Sequence, residues 1–135
     1  MDTKQEAQII KAKLLATQGK LFAPASFLNS PITVLMEICN GCGAANAKFD
    51  FVPDKIYGTY IGYACHIHDF MYNEGRTVED KDEADRVMRN NMVRIIDTQS
   101  HKWWKPTALM RRRASKYYWA VQEWGGPAFW AGKNI

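Results

Sequence analysis

The stretch Cys65-His66-Ile67-His68-Asp69-Phe70-Met71-Tyr72 carries a base, a carboxylate and a phenol on consecutive turns of one helical run. At 3.6 residues per turn His68 and Tyr72 share a face, and Asp69 points about a quarter-turn away. An imidazole so placed can act on a water while its neighbouring carboxylate holds a cation beside it. A satisfied core histidine next to a surface carboxylate has the same pattern, so the pair alone does not choose between the two readings. Upstream, Asn40-Gly41-Cys42-Gly43 is a glycine-bearing loop whose backbone carbonyls can be aimed inward, which is how a hard cation is coordinated when carboxylates are few. Downstream, Asp85 falls at the margin of an apolar stripe, three residues before Met88, where a carboxylate is costly unless paired. Paired with His68 and Tyr72, Asp85 would accept a hydrogen bond from the far nitrogen of His68 and fix its tautomer, as the carboxylate of a catalytic triad does.

Helices have to bring these groups together. From about Gln5 to Gln18, Ala7, Ile10 and Leu14 recur at helical spacing, and Gly19 supplies a stop. Residues 21 to 34, with Pro24, Asn29, Ser30 and Pro31, read as an irregular connection packed on the core, and a short helix spans Ile32 to Ile38. The chain then loops through Pro53. Between Tyr57 and Asn73 the pattern is helical, with Ile61, Ala64, Cys65, His68 and Tyr72 on one stripe and Gly75 ending it. A further helix from Val78 to Asp97 turns Ala84, Val87, Met88, Asn91, Met92, Ile95 and Ile96 inward and Arg86, Arg89, Asn90 and Arg94 outward. The short connection makes this pair antiparallel neighbours. After Pro106 a last helix runs to about Glu123 with Tyr117, Tyr118 and Val121, and Gly125-Gly126-Pro127 stops it. The expectation is a mainly α, small helical domain with two antiparallel core helices, at about 59–74 and 78–97.

Size and composition fit one folded domain over residues 1–135: the chain is 47% hydrophobic and 24% charged. No apolar run is long enough to cross a bilayer, and the charged N-terminal pattern holds no visible secretory signal. The chain is therefore expected to act where it is made or to leave by another route, unless a leader has been removed. The net charge of +4 is uneven: Lys102, Lys105, Arg111, Arg112, Arg113, Lys116 and Lys133 are opposed after residue 100 only by Glu123. Such a segment attracts anionic partners or forms a solvated face. No nucleic-acid motif accompanies it, and three consecutive helical arginines point in different directions, so nucleic acid is not the expected partner. Three cysteines allow at most one internal bridge. A rival use of all three is structural zinc, with Cys39, Cys42, Cys65 and His68 as four ligands at two-residue gaps.

Asn-Gly-Cys-Gly at 40–43, Cys-x-x-His-Asp-x-x-Tyr at 65–72 and Ala-Asp-x-x-Met-x-x-x-Met at 84–92 together resemble the secreted, calcium-dependent phospholipase A2 superfamily over about residues 39 to 96. The resemblance implies His68 as general base, Asp69 as calcium-binding carboxylate, Asp85 as the aspartate behind the histidine, and Tyr72 as the phenol supporting that aspartate. If Cys42 and Cys65 correspond to the family's bridge between calcium loop and catalytic helix, the carbonyls of Gly41, Gly43 and Ala45 are the loop ligands. The implied reaction is hydrolysis of the sn-2 ester of a glycerophospholipid at a membrane or micelle interface. Trp103, Trp104, Trp124, Phe129 and Trp130 are then candidates for insertion at that interface or for the core. The chain departs from the family in lacking most of its disulfides, in having Met71 where secreted members usually have cysteine, and in the segment from Ala44 to Gly58. These departures bear on activity more than on fold. Fewer bridges also suit a reducing compartment.

Overall fold

A computed structural model describes residues 3–39, 52–98 and 106–133. Helix α1, Thr3–Thr17, ends in a Schellman motif: Gly19 takes φ 75°, its N–H donates to the Ala16 carbonyl at 3.1 Å, and Lys20 N–H reaches the Leu15 carbonyl at 2.9 Å. Its buried face differs from the expected one. Ile9 and Ala12 are fully buried, whereas Ala7 is exposed and Ile10 and Leu14 are about half exposed. The inward face contains glutamines with specific work to do: Gln5 Nε2 donates to the Met36 and Cys39 carbonyls at 3.0 and 2.7 Å, and Gln8 meets His66. A period count ranks those positions as solvent-facing, which is why it selected the wrong stripe.

The connection at 21–34 is more ordered than its composition suggests. Pro24 and Pro31 precede two short helices, α2 at Ala25–Asn29 and α3 at Ile32–Ile38, the latter as expected. A proline lacks only a donor that a helix start leaves unused. Phe22 is tied to the buried Asn91 by two bonds, Phe22 N–H to Asn91 Oδ1 at 2.8 Å and Asn91 Nδ2 to the Phe22 carbonyl at 2.9 Å, which gives that inward amide its partners.

Residues 57–61, expected to open the helix that carries His68, instead complete a hairpin of β1, Lys55–Ile56, and β2, Thr59–Tyr60. Tyr57 and Gly58 at its tip both have positive φ, 46° and 80°, which suits the right-handed twist of a two-residue turn. Helix α4 then runs Gly62–Glu74 and α5 runs Val78–Thr98. Thr77 and Asp80 form a reciprocal cap at the start of α5: Asp80 N–H donates to Thr77 Oγ1, while Asp80 Oδ2 accepts from the Thr77 and Arg76 N–H groups. Gly75 does end α4, but in an extended conformation; a Cβ there would strike the Phe129 ring, so close packing requires the glycine.

Two cores flank the α4–α5 pair. On one side α1, α2 and α3 contribute Ile9, Phe27 and Leu35 against Ile67, Phe70 and Val87. On the other, α6 at Thr107–Trp124 contributes Met110, Ala114 and Val121 against Ala64, Met88, Met92 and Ile96. α4 and α5 run antiparallel: Ile61 and Ala64 share a cluster with Met92 and Ile96, while Tyr72 lies toward Ala84. The Gly-Gly-Pro stop ends α6 but opens another turn, α7 at Gly126–Trp130, because proline is tolerated in a first helical turn. α7 seats Phe129 edge-on against Tyr72 at 5.1 Å, so Phe129 is core. The mainly α architecture with its central antiparallel pair is the one expected.

Candidate active site

The buried faces of α4 and α5 meet at His68, Tyr72 and Asp85, each at most 5% exposed. His68 Nε2 lies 2.8 Å from Asp85 Oδ1, and the Tyr72 hydroxyl donates to the same oxygen at 2.6 Å. A carboxylate only accepts, so the proton of the imidazole sits on Nε2 and its lone pair on Nδ1. Burial alone would raise the carboxyl pKa of Asp85, but bonds from His68, Lys81 and Tyr72 outweigh it and hold the group below its ordinary range. Tyr72 is pushed far upward, first by burial and then by the Asp85 charge, so it remains a donor. Its ring lies 4.1 Å from the imidazole, at 45°.

Lys81 completes this cluster, and nothing in the motif reading singles it out. It sits one turn before Asp85 on α5, is 8% exposed, and donates to Asp85 Oδ2 at 2.8 Å. Its position on the stripe of Ala84, Asp85 and Met88 was visible in the sequence, but a lysine is ordinarily assigned to solvent. The ion pair makes the cluster neutral when His68 is neutral.

Asp69 is half-buried on α4, and its charge, after burial, raises the thiol pKa of Cys39. The chain therefore leaves α3 within electrostatic reach of this carboxylate. Gly41, Gly43 and Ala45, the expected carbonyl donors, lie outside the described residues, as does Cys42. Among the described residues no group of three or more His, Cys, Asp and Glu side chains could hold a metal ion. Cys65 is disulfide-bonded, and Cys39 is a buried free thiol.

The basic segment is also placed in part. Arg112, Lys116, Trp119 and Trp124 line an open recess of about 690 Å³ on α6. Trp119 and Trp124 are 53% and 56% exposed and pack edge-on at 4.9 Å. Trp103 and Trp104 lie outside the described residues. Among those residues no helix is long and apolar enough to cross a membrane. No family model matches the chain, and neither a curated protein nor a solved structure matches it.

Proposed function

We propose that the protein is a calcium-dependent hydrolase resembling phospholipase A2, cleaving the sn-2 ester of glycerophospholipids with water activated by His68. The observation that carries this reading is the buried bond from His68 Nε2 to an ionised Asp85, itself held by Tyr72. It directs the basic Nδ1 away from Asp85, and with it the capacity to take a proton from an attacking water. A positioned base of this kind contributes on the order of 10²–10⁴-fold. Asp85 orients the ring and balances the imidazolium that forms; Tyr72 fixes Asp85. Asp69 with the main-chain oxygens of Gly41, Gly43 and Ala45 would hold a calcium ion, which supplies positive charge to the developing oxyanion. The exposed indoles and cations of α6 give the domain a face suited to anionic headgroups.

Structural zinc is less well supported. A disulfide-bonded Cys65 has no thiolate to offer, Cys39 is held protonated by burial and by Asp69, and His68 Nε2 is engaged by Asp85. A non-catalytic phospholipase-like fold, using Arg111, Arg112, Arg113 and neighbouring tryptophans to bind nucleic acid or another protein, has no specific contact in its favour.

The test is fatty-acid release from phospholipid vesicles with calcium or chelator, for the parent, His68→Gln, Asp69→Asn and Asp85→Asn chains. Calcium-dependent release is expected, reduced at least roughly a hundredfold by the first two changes and less severely by the third. Unaltered turnover in His68→Gln removes the mechanism. Stoichiometric zinc without calcium response, or a salt-sensitive DNA or RNA complex without hydrolysis, would install one of the rivals.

A further inference from the structure

We propose that Lys81 is a positioning residue of the His68–Asp85 dyad, clamping the second oxygen of Asp85 and locking the C-terminal end of α6 to the site. This rests on the hydrolytic reading for its catalytic consequence, though not for its geometry.

An ammonium has three donors, and Lys81 has three acceptors: Asp85 Oδ2 at 2.8 Å, the Val121 carbonyl at 3.0 Å and the Gln122 carbonyl at 3.4 Å. The two carbonyls belong to the last turn of α6, where helical C=O groups carry partial negative charge; that of Val121 accepts the Gly125 N–H at 2.8 Å as well as Lys81. A cation is thus held between a helix C-terminus and a carboxylate, both of which favour it. A buried lysine without such partners would be expensive.

The consequence for the dyad follows from which oxygen each donor takes. His68 and Tyr72 both donate to Oδ1, which leaves the carboxylate a soft rotation about Cβ–Cγ. Lys81 on Oδ2 removes that freedom, so both oxygens are fixed and the acceptor lobe of Oδ1 stays aimed at Nε2. Its charge also keeps Asp85 an acceptor rather than an acid, which the tautomer of His68 requires. Because the same ammonium grips α6, displacement of that helix end would be felt at the imidazole. Gly125 supports the junction: a Cβ there would strike both the Val121 carbonyl and the Tyr72 hydroxyl.

The test combines a spectroscopic and a kinetic measurement on the full chain. In the parent, the Nε2–H proton of His68, assigned by its loss in His68→Gln, should give a downfield, slowly exchanging resonance. Lys81→Met, which keeps the stem and removes the charge, should move it upfield or broaden it, and Lys81→Arg should largely restore it. On anionic phospholipid vesicles with calcium, Lys81→Met should lower kcat roughly ten- to a hundredfold with KM within about twofold. In an Asp85→Asn background the same change should cost less than about threefold, because its partner is gone. If Lys81→Met does not fold, Lys81→Gln, which keeps two donors without the charge, carries the same expectations. An unchanged His68 resonance in the uncharged variants overturns the inference, as do equal kinetic losses in both backgrounds. A parent with no hydrolysis overturns the phospholipase reading alone, since the resonance reports on Lys81 whatever the substrate.

Discussion

His66 and His68 lie two residues apart on α4 and are both buried, yet their surroundings make them different groups. His68 faces an ionised carboxylate and a phenol. His66 faces an amide, Gln8 Oε1 at 3.2 Å, and its Nδ1 has no partner among the described residues. Burial therefore dominates at His66 and lowers its pKa from 6.5 to about 4, against smaller raising contributions from the Cys39 backbone and Asp54. The folded state then binds fewer protons than the unfolded chain between those values. Stability from a neutral His66 is present above pH 6.5 and is lost as pH falls toward about 4, at roughly 1.4 kcal/mol per unit, or on the order of 3 kcal/mol in all. Urea unfolding at pH 7 and pH 4.5 should reveal that decline in the parent and flatten it in His66→Gln. Equal slopes in the two chains would show that the imidazole is not the acid-sensitive group. The sequence distinguishes the two histidines only through Asp85, whose margin position demands a partner; nothing local marks His66 as buried beside a glutamine.

Helix boundaries are set by local chemistry, while the face a helix buries is set by its neighbours. Gly19, Gly75 and the Gly125-Gly126 pair do stop helices, and the spans of α3 and α5 agree with the expected ones to within a residue. α1 departs because its neighbours α3 and α4 present carbonyls and an imidazole, which recruit Gln5 and Gln8 to the inner face. Ile9→Ala should therefore cost roughly 2–5 kcal/mol, whereas Ile10→Ala and Leu14→Ala should each cost no more than about 0.5. Chemical denaturation of the three variants would check this, and a larger loss at Ile10 than at Ile9 would reinstate the face suggested by periodicity. The hairpin was missed for a related reason. Two-residue strands are too short for alternation to register, and Tyr57 at positive φ conceals a turn that an Asn-Gly pair would have advertised.

The whole molecule is built around α4 and α5, with α1 to α3 on one side and α6 on the other. This explains why α4 is buried almost all round rather than along one stripe. It also leaves the outer face of α6 with Trp119, Trp124, Arg112 and Lys116. If that face meets headgroups, the chain should bind phosphatidylglycerol vesicles more tightly than phosphatidylcholine ones, with affinity falling as salt rises. Replacing both Trp119 and Trp124 by alanine should weaken binding by roughly tenfold, measured by vesicle sedimentation. Equal binding to both lipids, or no loss in the double variant, would assign the two indoles another purpose.

Helical periodicity, glycine stops and the spacing of His68, Asp69, Tyr72 and Asp85 are properties of neighbouring positions along the chain. They were accordingly enough to anticipate the helical class, the antiparallel pair and the meeting of His68 with Asp85 and Tyr72. The contribution of Lys81 was hidden because its acceptors are divided between α5, one turn away, and α6, some forty residues on, and its polarity assigns it to water until those partners close around it. The inward glutamines of α1 were hidden in the same way, and packing alone chose the core over the interface for Phe129. Burial is a relation between segments distant in sequence, and only their packing can specify it.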